Sequence, residues 1–399
     1  MQRILFIRRP GAFGGIEVLL LDWLQHIDYK KNDVVLASTV DLFTDTIRKN
    51  ALPVAVKQLS LPVLGGFLQI FRSWFGDIKR ISPDQVVIVK SNITEIPLPA
   101  ALAAFVATRG KVYMTEHIAW PFPPEKTSSR YLGFIPGVGF WWYKLMWMER
   151  IRCQLAIRIL AVSEAVKDVL LGYGCRAEKI CVAYHGVDVS MYCPSEKTRK
   201  NWRRSQNIPE NALVMVSTAR LSHEKRLERT IKAFDVLSKS NGDVWLLIAG
   251  IGPLKEEIER TVATLECRDR VRLLGHVENV PELLQASDIF VLPSDREGLS
   301  VALTEAMSTG LICIASNVSG SNEVIRDGEN GFLVEPFDDG VMTGIEKILK
   351  LDPDARRAIA QNARQTIIAN FEIRKSVKNI LGMLDIASIR DQDQAAGIL

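Results

Sequence analysis

The sequence predicts an α/β protein built from two doubly wound parallel-sheet domains. Three observations carry this expectation. Runs that are apolar at nearly every position, such as "QVVIVKS" and "DIFVLPS", alternate with amphipathic stretches of helical period. Strands buried on both faces and separated by helices belong to parallel sheets. The alternation occurs as two series in 399 residues, a length too great for one core and suited to two domains of roughly 180 residues. Between the series lies the polar, Pro-containing "DVSMYCPSEKTRKNWRRSQNIPENA", residues 188–212, whose composition marks a boundary.

The strands of the first series are "RILFIR", "DVVLAS", "QVVIVKS", "KVYMTE", "IRILAVS" and "KICVAY", with helical patterns such as "IEVLLLDWLQHI" and "LPAALAAFVAT" between them. The second series reads "ALVMVSTA", "DVWLLIAG", "VRLLGH", "DIFVLPS" and "LICIAS", and its helices include "KRLERTIKAFDVLSKS" and "PLKEEIERTVATL". A last helical pattern, "FEIRKSVKNILGMLDIA", follows all the strands. The expected division is residues 1–190, residues 191–370, and a terminal segment 371–399 whose helix runs back to brace the first domain.

Composition narrows the classes. Apolar residues make up 47% and charged residues 24%, as in ordinary soluble globular proteins. No window approaches the roughly 18–20 continuous apolar residues of a membrane span. The opening "MQRILFIRRPG" has an apolar run of about four residues, against the roughly 7–15 of a signal h-region. It reads as a first buried strand. Six cysteines form no metal-type C-x-x-C pair, and reduced thiols in a cytoplasmic chain are the expectation. Residues 1–190 carry 23 Lys/Arg against 16 Asp/Glu, and the remainder 27 against 30. A basic first half suits an anionic acceptor or membrane headgroups, although a solvated surface accounts for it as well.

Ligands of open parallel sheets bind beyond the C-terminal strand ends, where helix N-termini offer free N–H groups. The candidate residues stand there. After the first strand, "RRPGAFGGIEVLL" places Gly11, Gly14 and Gly15 before a helix, which lets the backbone approach an anion. The spacing is not G-x-G-x-x-G, which argues against a nicotinamide enzyme. His117 follows "KVYMTE", with no G-x-S-x-G nucleophile motif in the chain. In "STARLSHEKRLERTI", Arg220 and Lys225 flank a turn, where a guanidinium and an ammonium neutralise a diphosphate without a metal. Gly250 and Gly252 mark another strand-to-helix turn, which needs no ligand to explain it.

The stretch "PSDREGLSVALTEAM", residues 293–307, is the most informative. Ser300 caps a helix. Glu297 lies in the preceding turn beside the N–H groups of Gly298, Leu299 and Ser300, and Glu305 sits on the second helical turn. Carboxylates accept paired hydrogen bonds from vicinal hydroxyls such as those of a ribose or hexose. Two such acceptors with Arg220 and Lys225 suit a ligand with hydroxyls at both ends and phosphates in the middle.

These residues carry a resemblance. "STARLSHEKRLERTIKAF", "LLIAGIGPLKEEI", "VRLLGHVENVPELLQASDIFVLPSDREGLSVALTEAMSTG" and "NEVIRDGENGFLVEP" are similar, in order and spacing, to the family 4 retaining glycosyltransferases. The first half resembles them more loosely, through "GGIE", "TEH", "AVSEAVKDVLLGYG" and "HGVD". The resemblance implies the GT-B fold of two Rossmann-like domains, the first on the acceptor side and the second binding a nucleotide-sugar. It implies a hexosyltransferase that moves sugar from a UDP- or GDP-linked donor to a hydroxyl of a glycan or lipid-linked acceptor, with retention, in cell-surface polysaccharide or glycolipid synthesis.

Carried over by residue, Glu305 holds the ribose hydroxyls, and Glu297 contacts the donor sugar with help from the N–H groups of Gly298, Leu299 and Ser300. Arg220 and Lys225 stabilise the leaving diphosphate, Gly14 and Gly15 close over it, and His117 stands near the donor sugar and acceptor hydroxyl. No metal, other cofactor or nucleic acid is expected. The chain departs from the family pattern at His185, where Asn is usual, at Leu311, where Pro is usual, and at Ser319, the first residue of a customary Gly-Gly. These departures blur donor identity.

The segment 134–152, with Trp141, Trp142, Tyr143, Leu145, Met146 and Trp147 bordered by Lys144, Arg150 and Arg152, has the amphipathic make-up of a bilayer-surface element. Residues 61–80 are similarly apolar. A cytoplasmic enzyme, peripheral at the inner membrane face, is the implied picture, and a helix packed at the domain edge is the competing one. A sugar-nucleotide 2-epimerase of the same architecture and a non-catalytic nucleotide-sugar binder are the rival functions. The epimerase is not expected to keep the Glu297/Glu305 turn in this form.

Overall fold

A computed structural model describes residues 1–8, 15–38, 41–57, 64–90, 95–117, 138–240 and 243–388, with no side chains at 41–44 and 138–143. The chain divides into two compact units, Met1–His185 with Arg374–Leu399, and Gly186–Ile373.

The first unit holds β1 (Gln2–Arg8), α1 (Gly15–Gln25), β2 (Asn32–Ser38), α2 (Asp41–Lys49), β3 (Ala55–Lys57), α3 (Phe67–Ile81) and β4 (Gln85–Lys90). It continues with α4 (Leu98–Ala107), β5 (Val112–Glu116), α5 (Val138–Leu155), β6 (Arg158–Ala161), α6 (Glu164–Gly172) and β7 (Ile180–Val182). The strands form one sheet in the order β3-β2-β1-β4-β5-β6-β7, parallel at every pairing. Ile4–Ile7 and Val86–Val89 are almost wholly buried, as the continuous apolar runs require of strands covered on both faces.

The second unit holds α7 (Glu196–Ser205), β8 (Leu213–Thr218), α8 (Leu227–Ser240), β9 (Val244–Ala249), α9 (Lys255–Ala263), β10 (Val271–Gly275), α10 (Val280–Gln285), β11 (Ile289–Leu292) and α11 (Val301–Ser308). After these come β12 (Ile312–Ser316), β13 (Phe332–Val334), α12 (Gly340–Leu349) and α13 (Pro353–Asn370). Its sheet runs β10-β9-β8-β11-β12-β13, again parallel. The two-domain α/β expectation holds.

The final helix, α14 (Ile373–Met383), leads the chain into the first unit. There the Tyr113 hydroxyl donates to Asp385 at 2.5 Å, Arg158 donates to the Met383 carbonyl at 2.9 Å, and the Asp28 N–H to the Ala387 carbonyl at 3.0 Å.

Three details differ from expectation. The polar stretch at 188–212 contains α7, whose buried residue is Arg203. This guanidinium donates to the carbonyls of Ala286, Glu210 and Ala212 at 2.8 Å and pairs with Asp288 at 2.8 Å. A core contact made by an arginine leaves no apolar periodicity to read. The edge strands β3 and β13 were likewise not read from the sequence. Cys153 and Cys175, 22 residues apart, form a disulfide with Cα atoms 5.8 Å apart, in place of the expected free thiols. Among the described residues no helix is long and apolar enough to cross a membrane.

Candidate active site

In the second unit β8 and β11 lie side by side, with Ile289 opposite Met215 and Phe290 opposite Val216. The strand order reverses here, and doubly wound sheets place their ligands outside the carboxyl ends of strands at such a point. Arg220 stands two residues beyond β8, Lys225 at the turn before α8, and Glu297 in the turn between β11 and α11.

Backbone contacts make this corner rigid. The Ala219 N–H donates to Ala249 and the Leu221 N–H to Ile251, each at 3.0 Å, so the loops after β8 and β9 run on as a paired ribbon. A Cβ at Gly250 would lie 1.8 Å from the Ala219 carbonyl oxygen, which is why only glycine permits this approach. Arg220 is thereby held by its backbone while its side chain is exposed. The turn after β11 is fastened from the other side. The Asp295 N–H donates to Glu224 at 2.9 Å, and Asp295 pairs with Arg226 at 2.9 Å and Arg229 at 2.8 Å. Gly320 closes the corner: a Cβ there would lie 2.2 Å from the Gly298 carbonyl oxygen.

At the centre the Lys225 ammonium donates to Glu297 Oε1 at 2.6 Å, and Ser294 Oγ donates to the same oxygen at 2.6 Å. The lysine side chain is 21% exposed and the glutamate 7%, so the pair sits at the floor of the corner with its cation open to solvent. Ser300 caps α11 by accepting the Leu303 N–H at 3.3 Å. Gly298, Leu299 and Ser300 are buried. Glu305, on the second turn of α11, accepts a hydrogen bond from Tyr192. Burial raises its carboxyl to about 7 against that bond's opposing effect. Among the described residues no group of three or more His, Cys, Asp or Glu side chains is arranged to hold a metal ion.

In the first unit His117 follows β5 and is buried rather than open at the strand end. Its Nε2 lies 3.1 Å from Thr115 Oγ1. Burial, followed by the charges of Arg8 and His185, lowers its pKa to about 3, so the imidazole is neutral throughout the physiological range. Arg8, the last residue of β1, is itself buried and pairs with Glu17 at 2.9 Å and Glu95 at 3.0 Å. Gly15 opens α1. Gly14 lies outside the described residues.

The structure thus gathers Lys225, Glu297 and Gly298–Ser300 in one corner, sets Arg220 beside it, and bonds Glu305 to Tyr192 rather than to the Lys225 pair. His117 and Gly15 belong to the other unit. Arg152, expected to border an exposed aromatic segment, is buried instead. Of that segment, 134–137 and the side chains of Trp141, Trp142 and Tyr143 lie outside the described residues. Trp147 is 60% exposed. The sequence reading missed Ser294, Tyr192 and Arg8. A charged residue closing an apolar strand, as in "RILFIR", was the legible sign for Arg8. Tyr192 left none.

Comparison with known proteins bears on the family and the fold. Residues 198–366 match the family model of glycosyl transferases group 1, and residues 13–191 match that of Glycosyltransferase Family 4. The chain is 26% identical, over 95% of both lengths, to a UDP-Gal:alpha-D-GlcNAc-diphosphoundecaprenol alpha-1,3-galactosyltransferase of Escherichia coli. It is 27% identical to an alpha-D-kanosaminyltransferase of Streptomyces kanamyceticus over 68% of this chain and 72% of that one. Among solved structures, Anabaena HepE in complex with UDP and glucose superposes with a TM-score of 0.77 at 21% identity, over 96% of this chain and all of that one. WaaG, a glycosyltransferase involved in lipopolysaccharide biosynthesis, superposes with a TM-score of 0.72 at 17% identity, over 95% and 100% of the two chains. These likenesses place the fold among the GT-B glycosyltransferases.

Proposed function

The chain belongs to the family 4 glycosyltransferases, glycosyl transferases group 1, and on that premise we propose that it moves a hexose from a UDP-linked donor to a hydroxyl of a lipid-diphosphate-linked saccharide, with retention, during surface polysaccharide or glycolipid assembly. One observation supports this reading most strongly. At the switch point of the second sheet a partly open lysine is paired with the glutamate of the turn, on a backbone frame that leaves Arg220 exposed beside it.

In this reading the donor diphosphate competes with Glu297 for the Lys225 ammonium, and Arg220 supplies a second cation. Glu297, so released, accepts hydroxyls of the sugar. The Glu305 carboxylate accepts the paired ribose hydroxyls. The anomeric C–O bond breaks with its electron pair passing to the diphosphate, whose charge the two cations offset, the main contribution preorganised groups make to such a step. The acceptor oxygen forms its bond on the same face while its proton passes to the departing phosphate oxygen. No resident metal is required in this scheme. His117, neutral and buried, acts as a hydrogen-bonding partner of the sugar rather than as a cation.

UDP rather than GDP is favoured by the relatives: the Escherichia coli enzyme uses UDP-Gal, and the Anabaena structure holds UDP and glucose. A lipid-linked acceptor fits the apolar surface of the first unit. Leu64, Phe67 and Leu68 are exposed at the start of α3, Arg72, Lys79 and Arg80 are exposed along it, and Trp147 is exposed on α5. We take this as the face toward an anionic membrane. The test is incubation with UDP-glucose, UDP-galactose and GDP-mannose, with and without bacterial membrane lipid. Lipid-dependent UDP release with a new α-linked glycolipid is expected. An epimerised sugar nucleotide with no glycoside would overturn the reading.

A further inference from the structure

Four charged side chains with no part in the scheme above meet inside the first unit. The ammonium of Lys90, the last residue of β4, lies 2.6 Å from Glu116 Oε2 and 2.5 Å from Glu149 Oε1. Arg152, one turn along α5 from Glu149, holds the other carboxylate oxygen at 2.7 Å. None of the four exceeds 2% exposure. Two cations and two anions balance.

Stability does not explain such a cluster. Desolvating each ion costs several kcal/mol, and well-packed apolar replacements of buried ion pairs are often neutral or stabilising. Glu116 Oε1 also has no hydrogen-bond donor among the described residues, a further cost. What the cluster does supply is geometry. It joins the ends of two neighbouring strands, β4 and β5, to one helix, α5. Side chains alternate faces along a strand, so Glu116 points one way while Thr115 and His117 share the other, as the 3.1 Å contact between them requires. A clamp on Glu116 therefore fixes the strand end that carries His117 without touching the imidazole. A second tie runs from α5: Arg152 donates to the Ile96 carbonyl, next to Glu95, which holds Arg8, the first of the charged groups that act on His117.

We propose that Lys90 and Glu116 are positioning residues which, with Glu149 and Arg152, fix the end of β5 so that His117 meets the reacting sugar in a single geometry set by the placement of α5. This rests on the role given to His117 under the proposed function.

The test separates positioning from packing. Lys90→Met alone leaves two buried carboxylates facing one cation and lowers both Tm and turnover. The double variant K90M/E116Q removes one charge of each sign, keeps the Glu149–Arg152 pair, and regains most of the lost Tm. With UDP-galactose or UDP-glucose as donor and membrane lipid as acceptor, its kcat stays at least about tenfold below wild type, because small misplacements of a reacting group are costly. Its KM for the donor stays within about twofold. Recovery of kcat together with Tm would reduce the cluster to packing and overturn the proposal. His117→Ala is measured in parallel. If it keeps full turnover, the role of His117 falls and this proposal with it; if it is inactive while the double variant recovers, this proposal alone falls. The chain has five histidines, so ¹⁵N-histidine NMR gives a readout without turnover. The His117 resonance moves in K90M/E116Q while those of His26, His223 and His276 hold, and an unmoved His117 resonance contradicts the proposal.

Discussion

The charged groups at the strand ends of the two units are treated in opposite ways. In the second unit the Lys225–Glu297 pair lies at the floor of an open corner, with the lysine 21% exposed and Arg220 beside it in solvent. In the first unit Lys90, Glu116, Glu149 and Arg152 are sealed in with their charges cancelled. The distances are alike, near 2.6 Å in both. Burial distinguishes them. A pair reachable from solvent can exchange its partner for a ligand's phosphate or hydroxyl, whereas a sealed one can only hold backbone elements in place.

Breaking one pair of each kind sharpens the contrast. The largest effect is expected from Lys90→Met, which leaves buried carboxylates uncompensated and costs about 3–5 kcal/mol of folding stability, measured by chemical denaturation. Lys225→Met in the open corner costs less, about 1–2 kcal/mol in the same assay, because Ser294 still donates to Glu297. Equal losses would erase the distinction between the two regions.

In turnover the order reverses toward the open pair. Lys225→Ala lowers kcat by about 10²–10³, the usual loss when one preorganised charge-stabilising group is removed, with Tm little changed. Steady-state kinetics with the UDP-hexose donor checks this.

A smaller effect concerns Glu305, whose carboxyl burial raises to about 7. The ionised form is the better acceptor for ribose hydroxyls, so UDP binding tightens as pH rises from 6 to 8, by up to about tenfold. Stability runs the other way. From the ordinary 4.5 up to about 7 the folded chain keeps a proton that the unfolded chain has released, so this group's contribution declines as pH rises through that window. Glu305→Gln removes both trends, as titration calorimetry and Tm across that range would register. The smallest effect is expected at the apolar face: Leu68→Ser with Trp147→Ser lowers sedimentation with anionic vesicles by several-fold and leaves donor KM unchanged.

The sequence announced the open corner better than the sealed cluster. Glu297, Ser300 and Glu305 stand in one strand–turn–helix, and Arg220 and Lys225 in another, so local spacing alone placed them beyond strand ends. Lys90, Glu116 and Glu149 meet only through the order of β4, β5 and α5, which sequence spacing does not encode. The strands were legible because parallel sheets need continuous apolar runs. The helix α7 was not, since an arginine makes its core contact. Charge patterning also misread Arg152, because a basic residue flanking aromatics looks the same whether it faces solvent or a buried carboxylate.

The most direct test of the open corner is a crystal structure of the protein with UDP bound. Lys225 and Arg220 are expected on the diphosphate, with the Lys225–Glu297 contact lengthened beyond its present 2.6 Å and both ribose hydroxyls on Glu305. A nucleotide bound with the Lys225–Glu297 pair intact and Glu305 still facing only Tyr192 would contradict the account.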